Sequence, residues 1–239
     1  MDERGVSDVV GFVLVFALVT ATVGVVYTTG IQGLTGSRDV ERVNNAERAF
    51  DVFANNVDDV IRRGAPSRAT EVKLADADLH YGAPVTVNLT LTGSGKSYAA
   101  EFRPIVYGSG TGSRVVYSDG AVIREQRNGA VLIRDPPFVL GEQTVVPYLV
   151  TRPQGVSSVA GSRTVLIRTV LASRHVFVAE SNGPYTVRLN VTSARAVVWK
   201  RYLEGETGGS CALVGDTATC TFQTQRVYVP LYKVDVQFI

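Results

Sequence analysis

The chain's two cysteines, Cys211 and Cys220, are separated by Ala212-Leu213-Val214-Gly215-Asp216-Thr217-Ala218-Thr219. Gly215-Asp216 suits a two-residue hairpin turn, which would set Cys211 and Cys220 opposite each other on paired strands. Thiols placed that way oxidise to a disulfide in an oxidising compartment. The short loop so closed adds roughly 2–3 kcal/mol on the chain-entropy account. In a reducing compartment the same spacing gives two free thiols in a buried hairpin. No further Cys or His lies nearby, so the pair is not read as a metal site, and no cofactor is expected.

Two triplets, Asn88-Leu89-Thr90 and Asn190-Val191-Thr192, match the acceptor pattern for N-glycosylation. Each sits in an alternating run. In Val85-Thr86-Val87-Asn88-Leu89-Thr90-Leu91 the apolar residues occupy every second position, so Asn88 shares the polar face with Thr86 and Thr90. In Tyr185-Thr186-Val187-Arg188-Leu189-Asn190-Val191-Thr192, Asn190 shares a face with Arg188 in the same way. Both would be accessible to a glycan. The alternative is that they are ordinary polar residues on solvated strands.

Hydrolytic chemistry finds no constellation. His80 and His175 stand apart without a ligand partner at metal spacing. Ser157-Ser158 lies in a polar loop without an evident base. Gly108-Ser109-Gly110-Thr111-Gly112 lacks the Gly-Lys-Ser/Thr ending of a phosphate loop, and no Gly-x-Ser-x-Gly elbow occurs. Trp199, beside Lys200, Arg201 and Tyr202, reads as a ligand patch or as a core Trp with polar neighbours outside. The chain is therefore not expected to be an enzyme. Its 24 basic and 22 acidic residues leave a net charge of +2, which does not suggest a nucleic-acid partner.

The elements carrying these residues are mostly strands. From Thr70 to Ile239, short alternating runs rich in Val, Thr, Tyr, Ile and Phe alternate with turn signals such as Gly93-Ser94-Gly95, Asp119-Gly120, Asn128-Gly129 and Asn182-Gly183-Pro184. The predicted strands include 97–106, 144–150, 163–171, 175–179 and 196–202. Residues 70–239 thus read as an antiparallel, sandwich-like β domain, with a loop or lobe break near 154–161. Residues 37–63 read as an amphipathic helix. Val43, Ala46, Phe50, Phe53, Val57 and Val60 recur at 3–4 spacing, and Arg62-Arg63, Gly64 and Pro66 mark its end.

The amino-terminal segment is of another kind. Met1-Asp2-Glu3-Arg4-Gly5-Val6-Ser7-Asp8 precedes a run without charge from Val9 to Ser37. Val9 to Tyr27, as a helix, is roughly 28 Å long, near the thickness of a bilayer core. A secretory signal peptide places its small-residue cleavage site after the apolar core. Here the basic-small pair comes before it. Ala17, Thr20, Ala21, Gly24 and Thr28 form a small-residue face of the kind that lets helices approach closely in lipid. Gly30, Gly33 and Gly36 weaken the helix at the membrane exit. The class is α+β: a long N-terminal hydrophobic and amphipathic helix, then the β domain.

Arg4-Gly5-Val6-Ser7-Asp8-Val9-Val10-Gly11-Phe12-Val13-Leu14-Val15 resembles the amino terminus of archaeal type IV pilins and pilin-like proteins, especially those of haloarchaea. The resemblance covers about thirty residues. It implies a class III signal peptide of residues 1–5, cut between Gly5 and Val6 by a membrane prepilin peptidase. It also implies a helix over residues 6–34 that first anchors the subunit and then forms a filament core with other pilin subunits. At the fifth position after the cut, where bacterial relatives carry Glu, this chain has Val10. Asp8 is the nearest acid. It is placed to pair with a neighbour's freed amino terminus, or with Ser7 to cap its own helix. The expected product is a single-pass membrane subunit with an extracellular β domain, serving filament assembly, adhesion or display. The alternative is a surface ectodomain that binds or senses without polymerising.

Overall fold

The computed structural model describes the backbone of residues 3–180 and 182–239, and the side chains of residues 9–28, 38–177, 180 and 182–239. The chain divides into two compact units, Met1–Arg42 and Val43–Ile239. Helix α1, Glu3–Arg62, contributes to both. The helix is continuous, so the two helices expected over 6–34 and 37–63 are one element. A mid-helix glycine costs roughly 1 kcal/mol relative to alanine. A proline-free helix of 60 residues absorbs Gly30, Gly33 and Gly36 without a break. Past Arg62, Gly64 turns the chain at φ +72°. The N–H groups of Arg63 and Ala65 both donate to the Asp59 carbonyl.

The second unit is built on two sheets. The first begins with β1 (Arg68–Tyr81), then β4 (Ile105–Gly108), β5 (Arg114–Ser118), β6 (Ala121–Gln126) and β7 (Gly129–Arg134). It continues through β8 (Gln143–Val145), β9 (Tyr148–Gln154), β10 (Ser158–Glu180) and β14 (Arg226–Phe238). Its order is β7-β6-β5-β4-β1-β10-β14-β8, with β9 also on β14. The second sheet comprises β2 (Val85–Thr92), β3 (Lys96–Phe102), β11 (Tyr185–Thr192), β12 (Ser210–Val214) and β13 (Thr217–Thr224), in the order β12-β13-β11-β2-β3. Helix α2, Ala196–Thr207, lies between β11 and β12 in the chain.

Alternation explains which face each strand buries. In β2, Val85, Val87, Leu89 and Leu91 point inward, and the residues between them face out. With Val187, Leu189 and Val191 of β11 and Ala218, Cys220 and Phe222 of β13, they form one core against Val227, Val229 and Leu231 of β14, Tyr148 of β9 and Trp199 of α2. The other core lies on the long sheet. There Val43, Ala46, Phe50, Phe53, Ala54, Val57 and Ile61 of α1 pack on Val72, Leu74, Tyr117, Val165, Ile167 and Val236. The 3–4 spacing read from residues 43–60 is therefore the buried stripe of α1. Phe53 meets Tyr117 edge-on, ring centroids 4.8 Å apart.

Several expectations are corrected. Residues 196–202 are helix, not strand: Ala196, Trp199 and Leu203, with Val198 and Tyr202, bury one side at helical spacing. Gly208 closes the helix in the left-handed region, its N–H bonded to the Glu204 carbonyl. The runs 163–171 and 175–179 belong to one strand, β10, whose register slips between Leu171 and Ser173 and again between Val176 and Val178. The expected strand 97–106 is split by Arg103-Pro104, and β3 and β4 fall in different sheets. Pro147 divides 144–150 likewise. Neither proline can donate to a ladder. Residues 155–157 are a short connection between β9 and β10, so 154–161 is not a lobe break. The domain is mostly antiparallel, but β14 runs parallel to both β8 and β9.

Candidate functional site

Val9–Thr28 is, among the described residues, the one helical segment long and apolar enough to cross a membrane. None of it is buried. Phe12, Leu14, Phe16, Leu18 and Val26 present well over half their surface. Its threonine hydroxyls are satisfied within the helix. Thr20 Oγ1 donates to the Phe16 carbonyl at 2.8 Å, Thr22 Oγ1 to that of Val19, and Thr28 Oγ1 to those of Gly24 and Val25. Thr20, Gly24 and Thr28, at intervals of four, share a face with Ala17 and Ala21 beside them. A Cβ added at Gly24 would meet nothing within 4 Å. The processing residues Arg4, Gly5 and Val6, and Asp8, lie outside the residues whose side chains are described.

The cysteine pair is a disulfide. Cys211 and Cys220 are register partners on β12 and β13, Cα atoms 4.2 Å apart, with Gly215-Asp216 as the turn. Gly215 has φ +54°, which favours glycine. The bond ties edge strand β12 to β13, and Cys220 itself is fully buried.

The two sequons fold into one place. Asn88 of β2 and Asn190 of β11 are direct register partners. Both are half-buried on the outer face of the five-stranded sheet. Asn88 Oδ1 accepts from Ser97 Oγ at 2.8 Å, and Ser97 Oγ lies 3.0 Å from the hydroxyl of Thr90, the sequon's third residue. Asn190 Oδ1 is buried without a hydrogen-bond partner among the described residues.

Two features escaped the sequence, and one alternative is resolved. His80 is not isolated: its Nδ1 sits 2.6 Å from Asp78 Oδ2, two residues back on β1. The i,i+2 spacing on a strand was the available signal. Trp199 is core, stacked near Phe138 with centroids 6.0 Å apart, while its neighbour Arg201 is exposed. A cleft of about 710 Å³ lies between the β6–β7 turn and the start of α2, lined by Arg124, Arg127, Arg195, Arg201 and Glu125. Arg195 donates to Glu125 Oε2 through Nη2 at 2.6 Å and Nε at 3.1 Å, and Arg114 approaches the same carboxylate. Arg124 is paired with Glu47 of α1. Arg195 and Glu125 are 70 positions apart in the chain, and no local motif announces their pairing.

Asp119 lies in the turn between β5 and β6 at φ +50°. It is fully buried, and burial raises its carboxyl to about 7 despite the Leu149 N–H that it accepts. Burial also raises the neighbouring Tyr117 hydroxyl.

Compared with known proteins, the chain matches DUF7289, a family of unknown function, over residues 4–237. No curated protein and no solved structure matches it.

Proposed function

The chain belongs to the DUF7289 family, and we propose that it is a membrane-anchored, type IV pilin-like structural subunit of an archaeal surface filament. The observation that carries this reading is the unburied apolar segment Val9–Thr28, with Arg4-Gly5 a few residues before it. A helix whose every face is apolar and uncovered needs either lipid or other helices around it. A pilin-like subunit uses both in turn: lipid before assembly, neighbouring helices after it. Cleavage after Gly5 by a prepilin peptidase leaves that helix on the mature chain.

The β domain, residues 70–239, faces outward in this reading, held to the cell by its helix. The disulfide Cys211–Cys220 supports an oxidising location. The cell-surface filament serves attachment or display, and the subunit performs no catalysis. Charge in the anchor tests the assembly step. Substituting Val13 or Val23 by Asp puts a carboxylate on the uncovered helix surface, at a cost of about 2.5–3.5 kcal/mol near a bilayer centre. The variant should be lost from sheared filaments while the wild-type chain is present. Filaments carrying Val13→Asp at normal yield would contradict polymerisation through this helix and favour a non-polymerising, single-pass ectodomain.

A further inference from the structure

The register of the five-stranded sheet makes the two sequons one site. Asn88 and Asn190 are cross-strand partners in a ladder running from Thr186↔Thr92 to Thr192↔Thr86. Directly opposed residues hold their Cβ atoms about 4.5–5.5 Å apart and point to the same face. That face is built from short, mostly uncharged side chains. One cross-sheet row reads Ala212, Thr219, Asn190, Asn88, Ala99, in strand order from edge to edge. A sugar ring attached to either amide therefore spreads over the other, with no large side chain in the row to hold two rings apart.

The two acceptors are not equivalent. Asn88 has its carbonyl oxygen held by Ser97, which orients the amide and leaves Nδ2 as the group to be modified. Asn190 has a buried carbonyl oxygen with no donor among the described residues. An unmet acceptor of this kind costs about 1–3 kcal/mol unless something supplies a hydrogen bond.

We propose that the folded chain carries one N-linked glycan, on Asn88, and that this glycan covers Asn190 and excludes a second. In the transfer, the amide Nδ2 forms a bond to the anomeric carbon of a lipid-phosphate-linked oligosaccharide. The carbon–oxygen bond to the phosphate breaks, the lipid phosphate leaves with the electron pair, and the amide loses one proton. Asn88 and Asn190 both lie half-exposed on the outward face of the sheet, so transfer acts on the closed ladder, where the two acceptors stand side by side.

The proposal rests on the exported orientation given above, and one sample tests the two separately. Membranes from the native host are treated with protease on intact cells to locate the β domain, and the full-length protein from the same membranes is measured by intact mass and glycopeptide mapping. Wild type should show one glycan mass increment, mapped to Asn88. Asn88→Gln should move the glycan to Asn190, and the double variant with Asn190→Gln should show none. A protease-accessible β domain with no glycan, or with two, overturns the proposal while leaving the topology standing. An Asn88→Gln chain that is exported yet unmodified overturns the exclusion. A protease-protected domain overturns the exported reading itself and this proposal with it.

Discussion

The backbone N–H of Leu149 donates to Asp119 Oδ1 at 2.7 Å, joining the β5–β6 turn to β9. Asp119 is wholly buried, and its other oxygen, Oδ2, has no partner among the described residues. Burial of this carboxyl raises its folded-state value to about 7 from 3.8. The sign follows from linkage: folding favours the neutral acid, so its contribution is complete below the unfolded value and is lost as pH rises from about 4 through 7. Asp119→Asn keeps an acceptor for Leu149 and tolerates the positive φ. The variant should be more stable than wild type at pH 8, by at most about 4 kcal/mol, and equal to it near pH 4. Urea unfolding of the two proteins across that range measures the difference, and parallel curves would refute the assignment.

Arg134 clamps the edge strand β7 to α1. Its Nη1 reaches Asp51 Oδ1 at 2.9 Å and Asn55 Oδ1 at 2.7 Å, and its Nη2 reaches Asp58 Oδ2 at 2.9 Å. The guanidinium is a quarter exposed, so solvent screens part of this interaction. Arg134→Ala should cost about 1–2 kcal/mol in chemical unfolding, and the cost should shrink in high salt. Arg134→Lys should recover only part of it, because an ammonium cannot reproduce the planar fork.

Opening the disulfide releases an edge strand. Cys211→Ser combined with Cys220→Ser should lower stability by roughly 2–3 kcal/mol under oxidising conditions. Hydrogen exchange should rise first in β12, which pairs with β13 alone. With reductant present, wild type should lose most of this advantage over the double variant. An unchanged unfolding midpoint in the oxidised comparison would remove the bond from the list of stabilising features.

What could be read from the sequence was local periodicity. Val43, Ala46, Phe50, Phe53, Val57 and Val60 announced the buried stripe of α1 because a single helix face repeats on its own. The Cys211–Cys220 hairpin was legible for the same reason, since its turn lies between the partners. Residues 196–202 misled because Val197, Val198, Trp199 and Tyr202 favour strands. The spacing of Ala196, Trp199 and Leu203, with Gly208 after them, was the competing helical signal. Position between distant strands was not legible. The partnership of Asn88 with Asn190 depends on β2 meeting β11 across about a hundred residues, and the Arg195–Glu125 pair on α2 meeting β6. Nothing in either segment alone names its partner.

Processing at Arg4-Gly5 is the step on which the filament account turns. Edman or mass-spectrometric sequencing of the amino terminus, on protein purified from its native membrane, reads it directly. The account predicts a mature chain that starts at Val6 and retains Val9–Thr28. A chain that still starts at Met1 in the membrane would contradict it and leave an anchored ectodomain that does not polymerise.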